Sequence, residues 1–384
     1  MDTSLETLQT ISFSQKAELY LINILLNNVI DQYDLQTRRE LSLYPGLNIQ
    51  DKIKTIISLS DKLTKEHPCT LKLQSFESFE RFLRAAGKRD HFVHQFEVFL
   101  LGWALLDHYF SLINDRNDLK DKFHWWLITS LSHDIGYPIK SSYEIISQLA
   151  KLYDNPNTTK LSEAFSKYKD DIKAIVYAKD EYVIDAKNDT VDIINKSLQD
   201  LFQNFEDTDD LVNKLKCNLD HGYNSALLLF DNLIDSAKEQ ELIQNQLATW
   251  TSGAIAIHNL CHKKCGKFVE KINIEMNPFA YILYITDCLQ EWERPANIDD
   301  DYPQFILDDF YISRENNVKI KFILKHKNWN DEIVQSQMKY IKDKECKINT
   351  LNTSNQPFKI DIEYACTNSD LNGTKIAIPK IKSL

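Results

Sequence analysis

At 384 residues, with 43% hydrophobic and 26% charged side chains, the chain has the balance of a soluble globular protein. It is long enough for one large domain with additions, or for two domains. A net charge of −11, with no long block of Lys or Arg, counts against a general nucleic-acid binder, which needs basic surface to neutralise phosphates. A small anionic substrate stays open, because a metal site supplies positive charge locally.

Residues 1–75 read as an N-terminal helical region. AELYLINILLNNVI has a broad apolar face and DKIKTIISLSDKL repeats apolar residues at three- and four-residue spacing. Neither is long and apolar enough for a bilayer span, so no membrane partner is expected. The opening MDTSLETLQTISFSQ lacks a basic stretch leading into an apolar one. Seven scattered cysteines, an odd number, fit a reducing compartment, so the expected location is cytoplasmic.

From 76 to 295 the reading stays helical, with apolar helices near 91–112, 122–134, 221–234, 246–260 and 278–292. Residues 150–215 are more polar and read as an inserted helical stretch. After Pro295 the pattern changes. FILDDFYI, VKIKFIL, FKIDIEYAC and TKIAI read as strands around a helix from 331 to about 351, a β-β-α-β-β order that predicts a small α+β domain over 300–384. The predicted fold is therefore mainly α, with a small C-terminal α+β domain.

The helical stretch delivers polar residues from apolar surroundings. RDHFVHQFEVFLLG places His94 on the core face, with His91 one turn earlier. FHWWLITSLSHDIGYP delivers His133 and Asp134 at its end, with Gly136 as the expected C-cap. LDHGYNSALLLF starts with His221 after Asp220, a natural N-cap. TSGAIAIHNL carries His258. NPFAYILYITDCLQEWERP has Asn277 as N-cap and Pro278 at the first helical position, and sets Asp287, Glu291 and Arg294 on roughly one face.

A carboxylate in an apolar helix is costly without a cation, a donor or a metal. Four His and two Asp, with no thiolate, suit two divalent first-row metals. One carboxylate can bridge both ions, and a hydroxide between them is an in-line nucleophile at phosphorus.

The order H…HD…H…H…D, with HQFEVFLLG, SHDIG, HGYNSA, AIAIHN and ITDCLQEWERP, resembles that of the HD-superfamily metal-dependent phosphohydrolases. The pattern is most similar to bacterial diadenosine tetraphosphate hydrolases within that superfamily. The resemblance covers about residues 80–295 and is interrupted by the 150–215 insertion. It implies an all-helical HD core in which His94, His133, Asp134 and Asp287 hold one metal (Mn, Fe, Co or Mg). His221 and His258 then hold the second, with Asp134 bridging. It further implies hydrolysis of a phosphoester or phosphoanhydride, with a nucleotide as the expected substrate. Lys140 and Arg294 are the candidates for contacting phosphate oxygens, joined by Asn259 and Tyr137. Lys140 lies two residues later than the family's HDxxK spacing puts it.

Gly136-Tyr137-Pro138 follows the HD doublet directly, so it is not the GYP of cyclic-di-GMP phosphodiesterases. Cys261 and Cys265 in CHKKC lack a second cysteine pair to complete a zinc site. His108, His124 and His326 read as surface or core-packing residues, and no phosphate-binding glycine loop is present. Two other readings use the same site. One is a non-catalytic nucleotide-sensing module; the other is a metal-dependent nuclease, disfavoured by the acidic charge. The sequence leaves open whether the N-terminal helices make a homo-oligomer.

Overall fold

The computed structural model describes residues 13–28, 34–64, 91–137, 188–202, 208–217, 220–234, 242, 245–260, 267–292, 304–313, 316–326, 330–351, 357–368 and 375–376. Lys140, Arg294, the CHKKC segment and the first part of the 150–215 insertion lie outside the described residues.

Three helices open the chain: α1 (Phe13–Asn28), α2 (Leu35–Leu43) and α3 (Ile49–Thr64). Asp34 starts α2 by accepting the Thr37 amide proton, a capping contact that satisfies one of the free amides of a first turn. Next come α4 (His91–Leu112) and α5 (Leu119–Ser132). Almost every residue of α4 is buried, as expected of a central helix apolar on all sides. The Trp126 indole of α5 lies against α4 at Gly102, where a Cβ would collide with its ring, and donates to the Phe99 carbonyl at 3.0 Å.

Helices α6 (Asn188–Leu201) and α7 (Thr208–Cys217) are the described part of the predicted insertion. They precede α8 (His221–Ile234), α9 (Gln246–Ile257) and α10 (Pro278–Leu289). Helix α9 is built from small residues (ATWTSGAIAI) and packs against α5, α6, α8 and α10 at once. Asn277 caps α10 by accepting from Ala280, with Pro278 in the first turn as expected.

The chain ends in a four-stranded sheet of order β1-β2-β3-β4, formed by β1 (Gln304–Ile312), β2 (Asn317–His326), β3 (Lys359–Asn368) and β4 (Lys375–Ile376). β1 runs antiparallel to β2, and β2 parallel to β3 with Val318 opposite Ile360. The parallel pair requires a crossover, and α11 (Asp331–Thr350) provides it. A bulge at Asp308 shifts the register so that Phe305, Leu307 and Phe310 all reach the buried face. On that face Phe310 meets Tyr20 of α1 and Phe322 stacks with Trp292. Lys319, Lys325 and Tyr311 lie on the opposite face and are exposed.

The predicted β-β-α-β-β order and the mainly helical class are what the chain forms. α1 packs on both α4 and β1, so the first helix and the first strand share one continuous apolar core with the central helices.

Candidate metal centre

Five helix ends converge. His91 and His94 occupy the first turn of α4, His133 and Asp134 follow α5, His221 opens α8, His258 ends α9, and Asp287 sits in the last turn of α10. Two of these ends share one local device. α5 stops at Ser132 with His133 as its cap, and the ring turns back so that Nδ1–H donates to the Ser130 carbonyl at 2.7 Å. α9 stops at Ile257 with His258 as its cap, and its Nδ1–H donates to Ile255 at 2.8 Å.

The helix expected over 122–134 therefore ends before the doublet. The side chain of His133 takes a carbonyl that the next backbone amide would use. His133 to Gly136 form a turn closed by Tyr137 donating to the Asp134 carbonyl at 2.9 Å. Nor is Gly136 the C-cap. Its place is dictated by close approach, because a Cβ there would lie 2.6 Å from the His221 carbonyl and 2.6 Å from the Ser225 amide nitrogen. Its own amide donates to Ser225 Oγ at 2.8 Å. Asp220 caps α8 as expected, accepting from Gly222 and Tyr223.

Asp134 is the hub. Its Oδ1 lies 3.3 Å from His221 Nε2 and 3.4 Å from His258 Nε2. Its Oδ2 faces His94 Nε2 at 3.8 Å and His133 Nε2 at 3.6 Å, and accepts from His91 Nδ1 at 3.1 Å. Asp287 Oδ1 is 3.0 Å from His94 Nε2 and 3.7 Å from His133 Nε2. Two groups with metal-ligand spacing result: His94, His133 and Asp134, and Asp134, His221 and His258. All six residues named from the sequence come together, with Asp134 common to both groups. Among the described residues, none from the C-terminal sheet or α11 joins either group.

Burial pushes both carboxyls up, yet the surrounding imidazoles hold Asp134 and Asp287 well below the usual carboxylate range. For His258, burial pulls the ring down, while hydrogen bonding and charge from Asp134 outweigh it and raise it. The centre thus gathers two anions in a nearly dry pocket. His221 and Asp287, whose side chains are 12% and 20% exposed, form its open side.

The histidine tautomers are set from behind. Besides the backbone acceptors of His133 and His258, His94 Nδ1–H donates to Gln290 Oε1 at 2.5 Å. The Asn259 amide lies 2.9 Å from His221 Nδ1 through its nitrogen, while its oxygen is buried without a partner. Turning that amide by half a revolution puts the oxygen on His221 Nδ1–H, since the two orientations have the same shape. All four rings then present Nε2 inward. His94 Nε2 and His133 Nε2 stand 3.3 Å apart, a spacing bridged equally by a proton on either nitrogen or by a cation between them. The buried Nε2 of His258 faces Asp134 Oδ1. This donor set fits divalent metal, and each ring is fixed by the kind of outer contact that metal-binding histidines use.

No family model, curated protein or solved structure matches the chain.

Some expectations need correction. Asp287, Glu291 and Arg294 were expected along one helical face. Instead α10 ends at Leu289, where Gln290 turns extended and sends its side chain inward. Glu291 then pairs with Lys344 and accepts from Tyr340 of α11 at 2.9 Å. Tyr137 packs its ring between His91 and His221, at the rim of the centre. His108 binds Asn316 at 3.0 Å and His124 is buried in the core, so both are packing residues.

Sequence reasoning missed Gln290 and Glu97. Glu97 was visible in principle, as a carboxylate inside the apolar run FEVFLLG, by the same argument that singled out Asp134 and Asp287.

Proposed function

We propose that the chain is a metal-dependent phosphohydrolase that holds two divalent ions. His94, His133, Asp134 and Asp287 hold one and His221 and His258 the other, with Asp134 shared. One observation carries this reading: His94, His133 and His258, anchored at Nδ1 by oxygen acceptors, and His221, anchored likewise once the Asn259 amide is turned, converge their Nε2 atoms on the carboxylates of Asp134 and Asp287. A structural cluster would pair each acceptor with a donor. In these four rings Nδ1 points outward and Nε2 inward, while His91 donates to Asp134 from the side.

Bound ions would supply Lewis-acid polarisation of phosphoryl oxygens and a lowered pKa for water. The chain's own residues do the rest. The two carboxylates stay ionised as ligands, the backbone and amide contacts hold ring orientation, and the core excludes water on all sides but that of His221 and Asp287. A nucleotide phosphoester or anhydride as substrate rests on the resemblance of the motifs to the HD superfamily.

The test is turnover on a panel of mono-, di-, tri- and dinucleotides with Mn²⁺, Fe²⁺, Co²⁺ and Mg²⁺, together with elemental analysis of protein purified without chelator. More than one ion per chain and release of phosphate or nucleotide are expected. Two bound ions with no turnover on any member would favour a nucleotide-sensing module. No metal after reconstitution would end the phosphohydrolase reading.

A further inference from the structure

Resting on that metal-centre reading, we propose that Gln290 and Glu97 are positioning residues that fix the ring nitrogen His94 offers to metal, with Lys52 of α3 anchoring the pair. The other ligand histidines lean on single partners: His133 and His258 on carbonyls three residues back, His221 on the Asn259 amide. His94 leans on a side-chain relay that leaves the site. Gln290 Oε1 receives His94 Nδ1–H, and Gln290 Nε2 donates to Glu97 Oε2 at 2.6 Å and to the Trp292 carbonyl at 2.8 Å. Glu97 Oε1 lies 3.6 Å from Lys52 Nζ, which also donates to Glu18 of α1 at 3.2 Å. Every side chain in the relay is essentially water-free.

The relay has a direction imposed by chemistry. Two acceptors, a carboxylate and a backbone carbonyl, face one end of the Gln290 amide. Only the NH₂ group serves both, so the amide cannot turn over. Its oxygen is thereby committed to His94, and an oxygen accepts only from a protonated Nδ1. His94 must then offer Nε2 to the centre. Losing the Glu97 charge leaves only the Trp292 carbonyl to oppose rotation of the amide, and a rotated amide selects the opposite tautomer, with a proton where the metal bond belongs. The N-terminal helices, outside the motif-bearing stretch, thus reach the metal through Lys52 and Glu97.

The experiment strips the full chain of metal and titrates it with Co²⁺, following visible absorption and heat of binding. Wild type should take up two ions. In Gln290→Met and Glu97→Gln one ion should weaken by about 10–100-fold, the range for outer partners of metal-binding histidines, while the other keeps its affinity. Lys52→Arg, which retains the cation, should bind as wild type does. In Gln290→Met the hydrogen-bonded imidazole Nδ1 proton of His94 should vanish from the NMR spectrum of the metal-free protein.

Unchanged binding of both ions in the folded variants overturns the proposal, as does equal weakening of both, which marks a merely structural role. If Gln290→Met does not fold, the near-isosteric Glu97→Gln decides on the same criteria. A wild-type chain that takes up no Co²⁺ refutes the metal-centre reading instead, and the imidazole proton then judges the relay by itself.

Discussion

Gly136→Ala puts the geometry of the centre under direct strain. The new methyl carbon would sit 2.6 Å from both the His221 carbonyl oxygen and the Ser225 amide nitrogen, and 3.0 Å from the Asn224 carbonyl carbon. Those atoms are all backbone of one helix, so no side-chain rotation relieves the clash. Ordinary contact lies roughly 0.8 Å further out, and α8 has to move by about that much with His221 attached. A functional constellation tolerates displacements of about 0.5 Å, so the His221–His258 half should suffer more than the fold. Overpacking of this kind costs about 1–3 kcal/mol. Urea denaturation of the metal-free protein should show that loss, and Co²⁺ titration should show one ion weakened at least about tenfold. Gly46→Ala is the control. A Cβ there meets nothing within 4 Å, and the change should be neutral or stabilising by up to about 1 kcal/mol. Gly136→Ala with a wild-type midpoint and both ions in place would refute the claim that this glycine sets the spacing between the turn and α8.

Asp134→Ala should lose both ions and all turnover, whereas His91→Ala, which removes a donor to Asp134 Oδ2 and a ring contact with Tyr137, should keep both ions at reduced affinity; equal severity in elemental analysis would make His91 a ligand. In the metal-free protein, the raised His258 stabilises the fold fully below its ordinary value of about 6.5, and that contribution is lost as pH rises through its folded value. The depressed Asp134 and Asp287 contribute above the ordinary carboxylate value and lose this only as pH falls through their lower folded values. Because a ligand histidine must be neutral, metal displaces the His258 proton, so Co²⁺ affinity should rise from pH 6 to 8; a flat profile would contradict the assignment.

The fold was legible wherever periodicity or caps were strong. Asp220 and Asn277 mark helix starts by their chemistry, and Lys319 and Lys321 alternate cleanly against Val318, Ile320 and Phe322 in β2. Helix ends were harder. His133, His258 and Gln290 all stop their helices through side chains whose partners are fixed in three dimensions, and a stretch such as YILYITDCLQEW carries no local sign that Leu289 is the last helical residue. The clustered His and Asp residues were readable because a charged group in an apolar helix needs an explanation from the sequence alone. The relay behind His94 was not, since Lys52, Glu97 and Gln290 come from separate helices and meet only after folding. The bulge at Asp308 left no trace either, although the pairing of Asp308 with Lys321 shows where its charge goes.

His94 and Asp287 are 193 positions apart along the chain, yet their polar atoms approach to 3.0 Å. Bringing together the ends of so long a loop costs about 5 kcal/mol in chain entropy, before any of the intervening packing is counted. A cation seated between them would act as a removable staple across the whole helical stretch. If these residues hold metal, the early ligands would emerge during synthesis long before the last one, and a nascent chain would hold half a site until α10 has left the ribosome. Loading would then be a late step in maturation, and a chelator would loosen the molecule by releasing the closure of this loop.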